Sequence, residues 1–203
     1  MKKIIKKILA VLGLQSYVAK KMDARRALKR YMSINRKNKN SILEYQKRFN
    51  SHTFIETGTY KGDMIEAVRE YFDKIYSIEI GTELHQKAVD RFKKDARVEI
   101  LLGDSATVLP KILAEIREPA LFWLDAHDSG GDTAHGDVIT PIEKELDVIL
   151  NHSIKNHVIL IDDARDFTGH GGYPTAEKIQ KLAVKNNRLF EMKDDNFRIF
   201  PKQ

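Results

Sequence analysis

From about residue 50 onward, short apolar runs alternate with amphipathic stretches, and this periodicity constrains the fold more than any other feature of the chain. The runs predict strands at Thr53–Thr57, Lys74–Ile80, Arg97–Leu102, Ala120–Ala126 and His157–Asp163. A closing pair, Arg188–Met192 and Asn196–Phe200, is joined by the turn Lys193-Asp194-Asp195. Helices are predicted between them at Asp63–Phe72, Thr82–Lys94, Ala106–Ile116, Pro141–Leu150 and Thr175–Asn186. The fourth is signalled best, because Thr140-Pro141-Ile142-Glu143 offers an N-cap, a proline in the first turn and a glutamate three residues on. Such alternation implies an α/β domain built on a mostly parallel sheet with helices on both faces, and the terminal hairpin adds an antiparallel edge.

Composition narrows the classes. The length of 203 residues and a hydrophobic share of 42% suit one domain with a sizeable core. The absence of cysteine excludes disulfides, thiolate metal sites and cysteine nucleophiles. No apolar run reaches the roughly 20 residues of a spanning helix. Charge is uneven: residues 1–40 carry 13 Lys and Arg against the single acid Asp23, whereas residues 41–203 carry 22 against 28. The basicity therefore belongs to an extension, expected over residues 1–48, that precedes a mildly acidic domain over residues 49–203. Ile4, Ile5, Ile8, Leu9 and Leu12 recur at helical spacing beside Lys2, Lys3, Lys6 and Lys7. A basic amphipathic helix of this kind suits an anionic membrane surface. It equally suits packing on its own domain or on a second subunit in a homo-oligomer. Nucleic acid is the weakest of the three partners, because only Tyr17 and Tyr31 accompany the basic cluster for base stacking. The expected location is the cytoplasm, with peripheral attachment to the inner membrane face if residues 1–40 bind lipid.

In sheets of this type ligands bind beyond the carboxyl ends of the strands, and polar residues accumulate there. The first strand runs into Glu56-Thr57-Gly58-Thr59-Tyr60-Lys61-Gly62, where Gly58 permits a tight turn and Gly62 opens the next helix. The pattern is neither GxGxxG nor a Walker loop. The second strand ends at Glu79-Ile80, where a carboxylate can accept both hydroxyls of a ribose. The third ends Gly103-Asp104-Ser105 and the fourth Asp125-Ala126-His127. With Asp162-Asp163 closing the fifth strand, Asp125 makes an oxygen-rich set suited to Mg²⁺. The alternative is that these acids cap helices or pair with Lys and Arg. Two glycine-bearing loops follow, over residues 128–137 and 165–173. Their Tyr173 or Phe167 could stack on a sugar ring, while His135 and His170 read as solvated.

These motifs resemble class I S-adenosylmethionine-dependent methyltransferases. The resemblance covers residues 50–203. It implies a Rossmann-like, seven-stranded sheet of order 3-2-1-4-5-7-6 with the last strand antiparallel. It also implies a cofactor site formed by Glu56, Thr57, Gly58, Thr59, Tyr60, Gly62, Glu79, Ile80, Asp104, Ser105 and Asp125. Thr59 and Tyr60 stand where the family often has glycines. Asp125, Asp162 and Asp163 are similar to the acids of metal-dependent O-methyltransferases of the catechol and macrocin types. That similarity implies Mg²⁺ or Mn²⁺ held at the three acids, with Asp125 and His127 as catalytic residues and His127 as either base or further metal ligand. The implied activity is O-methylation of a sugar hydroxyl on a glycan or glycosylated metabolite. The rivals are a nucleic-acid methyltransferase, which would lack an Asn-Pro-Pro-Tyr-type motif here, and a non-catalytic membrane-surface or scaffold protein retaining the fold.

Overall fold

The computed structural model describes residues 15–126 and 140–202. The basic amphipathic stretch ending at Leu14, and with it His127, His135 and the whole first glycine-bearing loop, lies outside them. The chain divides after Lys37 into two units. A long helix, α1 (Gln15–Phe49), supplies the described part of the first unit, and its last turns from Asn38 onward belong to the second. The expected extension ran to residue 48, but Ile42 and Tyr45 are fully buried in the core. Residues 38–48 are thus part of the folded domain. Arg198 explains the attachment. It is fully buried and donates to Ser41 Oγ at 2.8 Å, with Glu44 at 3.5 Å and the Tyr45 ring centroid at 5.4 Å. A buried cation is tolerated only when partnered in this way.

The second unit then runs β1 (Thr53–Thr57), α2 (Asp63–Val68), a short 3₁₀ turn (Arg69–Tyr71), β2 (Lys74–Glu79), α3 (Thr82–Phe92), β3 (Val98–Leu102) and α4 (Ser105–Glu115). It continues with β4 (Ala120–Leu124), α5 (Ile142–Asn151), β5 (Val158–Ile161), a 3₁₀ turn (Ala164–Asp166), α6 (Ala176–Lys185), β6 (Arg188–Lys193) and β7 (Asn196–Pro201). The seven strands form one sheet of order β3-β2-β1-β4-β5-β7-β6, parallel except for β7, which pairs antiparallel with both β5 and β6. This is the order that the family resemblance implies.

Alternation of side chains along the central strands divides the core. Phe54, Leu121, Trp123 and Leu160 face Ile42 and Tyr45 of α1 and Ile65 of α2. Ile55, Phe122, Leu124 and Ile161 face Leu109 of α4, Leu146 of α5 and Ile179 of α6. Strands β1, β4 and β5 are buried along their whole length; β4 and β5 read as unbroken apolar runs, whereas β1 also buries Thr53, Glu56 and Thr57. Helix α5 starts at Ile142, one residue later than predicted, with Thr140 Oγ1 accepting from the Ile142 N–H at 3.4 Å. The β6–β7 hairpin turns through Asp194 and Asp195, both at positive φ (54° and 67°), between the paired Lys193 and Asn196. Two left-handed residues of this kind match the right-handed twist of the flanking strands.

Candidate active site

The ladder continues past the strand ends and aligns their polar residues on one edge. The Gly58 N–H donates to Ile78 O, Gly103 N–H to Glu79 O, Asp125 N–H to Thr57 O, and Asp162 N–H to Leu124 O, at 2.9–3.1 Å. Gly58 lies at φ +87°, and a Cβ there would sit 2.5 Å from the backbone oxygen of Asp125. Only glycine lets β1 and β4 approach so closely. Tyr60 takes a left-handed conformation (φ 48°) without being glycine, at a cost of about 1–2 kcal/mol. The Glu79 carboxylate helps to hold it there: Oε2 accepts the Tyr60 N–H at 2.7 Å and Oε1 the Gly81 N–H at 2.8 Å. Glu79 is thereby fixed in orientation, and Ile80 beside it remains 36% exposed.

Beneath this loop runs a buried polar chain. Thr59 Oγ1 lies 2.6 Å from Ser77 Oγ, which donates to Glu56 Oε2, also at 2.6 Å. The β1–β2 register places Glu56 opposite Ser77. Burial pushes the Glu56 carboxyl up to about 8, the Ser77 hydrogen bond opposes the rise, and the Glu79 charge adds to it. Asp104 serves as the N-cap of α4, accepting from the Ala106 N–H at 2.9 Å, and Ser105 is buried behind it.

Asp125 is raised well above the usual carboxylate range, first by burial and then by the charges of Asp162, Asp163, Glu56 and Glu145. The three acids of the expected metal set are thus close enough to repel one another. They are not assembled as ligands. Asp162 accepts the Asn38 amide at 2.6 Å, and the Asn196 amide and its neighbour's backbone N–H at 2.8 Å. Asp163 adopts a left-handed conformation (φ 52°) and pairs with Arg165 at 2.6 Å. Among the described residues no three His, Asp or Glu side chains are grouped to hold a metal ion. The residue types were legible in the sequence; the amide partners of Asp162 come from distant segments, while Asp163 pairs with Arg165 only two residues on.

The sequence reading missed Glu145. It is 1% exposed on the apolar face of α5, and burial pushes its carboxyl up to about 7, with the Ser105 and Thr57 hydroxyls opposing the rise. An acid in register with Ile142, Leu146 and Ile149 was the available signal. Phe167 is buried against Phe197 and meets the Tyr173 ring edge-on at 5.4 Å, so Tyr173 is the more accessible of the two. His170 is exposed.

No protein-family model matches the chain, and no curated protein matches it. Solved structures do. The O-methyltransferase from Bacillus cereus, in complex with SAH, aligns at TM-score 0.60 and 15% identity over 82% of this chain and 81% of its own. The O-methyltransferase TomG from Streptomyces achromogenes, in complex with SAM, aligns at 0.59 and 12% over 81% and 80%. The N-methyltransferase NodS from Bradyrhizobium japonicum aligns at 0.56 and 13% over 84% and 98%. The fold is that of the S-adenosylmethionine-dependent methyltransferases. The acceptor atom differs among these neighbours, so the fold alone does not choose it. No described helix is long and apolar enough to cross a membrane.

Proposed function

We propose that the protein is an S-adenosylmethionine-dependent O-methyltransferase whose acceptor is a sugar hydroxyl of a glycan or glycosylated metabolite. One observation carries the cofactor reading: a turn at Gly58 with no room for a Cβ lies across from a carboxylate, Glu79, already oriented by two backbone N–H groups. The residues fit a nucleoside with a charged tail. Glu79 would accept the ribose hydroxyls, Ile80 would cover the base, and Glu56 would meet the cationic end. The cofactor supplies an electrophilic methyl group, and the protein has to place a hydroxyl in line with it and accept that hydroxyl's proton. His127 is the proton acceptor proposed from the sequence, and His127→Ala should lower kcat about 10²–10⁴-fold.

Assistance by Mg²⁺ or Mn²⁺ is the finer part of the proposal. Repulsion among Asp125, Asp162 and Asp163 favours it, while the protein donors on Asp162 and Asp163 oppose it. No step is assigned to a cation. Titration calorimetry with S-adenosylhomocysteine tests the cofactor site. A screen of methyl glycosides with labelled methyl donor, in EDTA and after added Mg²⁺, tests acceptor and metal together. A folded protein that binds neither S-adenosylmethionine nor its product would refute the reading.

A further inference from the structure

Just past the end of β5, the buried Asp162 carboxylate is held by amide N–H groups from separate parts of the fold. Its Oδ2 accepts the Asn38 amide at 2.6 Å, and its Oδ1 accepts the Asn196 amide and the Asp163 backbone N–H, each at 2.8 Å. Asn38 lies on α1, Asn196 opens β7, and both are buried. The Asn196 amide also reaches Asn38 Oδ1 at 3.4 Å, which fixes the two side chains relative to each other. Other acids of the fold are paired differently. Asp163 and Asp95 have guanidinium partners, which cancel charge as well as donate hydrogen bonds. Amides orient a carboxylate and leave its charge in place, and here that charge falls on the neighbouring Asp125. Attachment of α1 does not explain the arrangement, because Ile42 and Tyr45 are fully buried and Ser41 accepts from Arg198 further along the helix.

We propose that Asn38 and Asn196 are positioning residues that clamp Asp162 and compete with a divalent cation for its oxygens. The clamp, rather than the number of acids, then sets how tightly this edge holds Mg²⁺ or Mn²⁺. The inference rests on the methyltransferase reading above and adds the two residues that govern its metal arm. A carboxylate has about four acceptor positions, and three of those on Asp162 are taken by N–H groups. A hard cation demands carboxylate oxygens in near-ideal geometry, so it binds here by displacing an amide. An amide kept only to hold the fold together would leave cation affinity unmoved when it is removed.

Mn²⁺ is the probe, titrated by calorimetry and by its electron paramagnetic resonance signal into wild type, Asn38→Ala, Asn196→Ala and the double variant Asn38→Ala/Asp162→Asn, all without cofactor. Each single alanine variant should bind Mn²⁺ at least about tenfold more tightly than wild type, the worth of one hydrogen bond to a charged group. Both should melt below wild type without cation and recover when Mn²⁺ is added. Adding Asp162→Asn should remove the gain. Asn38→Asp, which keeps the shape and replaces a donor by an acceptor, serves if the alanine variants do not fold. Its melting temperature should rise with Mn²⁺ by more than that of wild type. Unchanged or weaker Mn²⁺ binding in the alanine variants, a gain that survives Asp162→Asn, or an Asn38→Asp protein that does not respond to Mn²⁺ would each overturn the assignment. Calorimetry with S-adenosylhomocysteine on wild type tells the two readings apart. Absent binding there defeats the methyltransferase reading, whereas retained binding beside an unmoved Mn²⁺ affinity confines the failure to the clamp.

Discussion

At the residue scale, the site is governed by carboxyl groups kept from water. Glu79 makes two backbone hydrogen bonds and would add two to a ribose, each charge-assisted bond being worth about 1.5–3 kcal/mol. Glu79→Ala should therefore reduce S-adenosylmethionine affinity at least about tenfold in a protein that still folds, read by calorimetry. Glu56 behaves differently. Its folded-state carboxyl titrates near 8, above its ordinary value, so the folded state holds a proton that the unfolded chain has lost. Its contribution to stability is present below about pH 4.5 and is lost as pH rises through about 8. Glu56→Gln should flatten that loss in denaturant titrations from pH 5 to 9. If the cationic cofactor ionises Glu56, wild type should release a proton on binding near pH 7, visible as buffer-dependent heat, and the glutamine variant should not. Gly58→Ala combines a left-handed φ with a Cβ 2.5 Å from the Asp125 carbonyl oxygen. A loss of at least about 2 kcal/mol in chemical denaturation is expected.

At the element scale, the strand ends opposite the site carry their own polar lock. His157, just before β5, accepts the Ala120 N–H at Nδ1 and lies 2.8 Å from His152 through Nε2. Burial, followed by the neighbouring His152 and Arg188 charges, lowers its pKa to about 3. The folded state thus keeps His157 neutral where the unfolded chain would protonate it. The stability this represents is present above about pH 6.5 and disappears as pH falls towards 3, about 2 kcal/mol of it between pH 6.5 and 5. Comparing wild type with His157→Gln by denaturant unfolding at pH 7 and pH 5 checks it: the gap between the two proteins should narrow at the lower pH. An unchanged gap would mean that His157 takes up its proton in the fold at the same pH as in the unfolded chain.

At the scale of the whole molecule, charge separates the basic N-terminal region from the acidic domain. Lys21, Arg25, Arg26 and Lys29 of α1 are exposed, and we propose that this region binds an anionic membrane surface. Sedimentation with phosphatidylserine vesicles should exceed that with neutral ones and should weaken with salt, as screening shortens from about 10 Å at 0.1 M. Deleting residues 1–20 should weaken the sedimentation and leave S-adenosylmethionine affinity unchanged. Equal recovery with neutral and anionic vesicles would point instead to packing.

Strand and helix order and the glycine turn followed from the residues alone, and the sheet order from the family resemblance they carry. Burial on both sheet faces writes β4 and β5 as continuous apolar runs, and a left-handed turn against a neighbouring strand admits little but glycine at Gly58. The pairing of the acids did not follow. Asp162 looks like a ligand in sequence, but Asn38 and Asn196, separated by 158 positions, bring their amides to it or to each other only when the chain folds. Glu145 looks like a helix-start acid, and it becomes a buried carboxyl only because α5 lays that face over β1 and β4. Periodicity is local and survives in one dimension. Desolvation and charge pairing depend on which distant groups arrive at a point, and only the tertiary structure decides that.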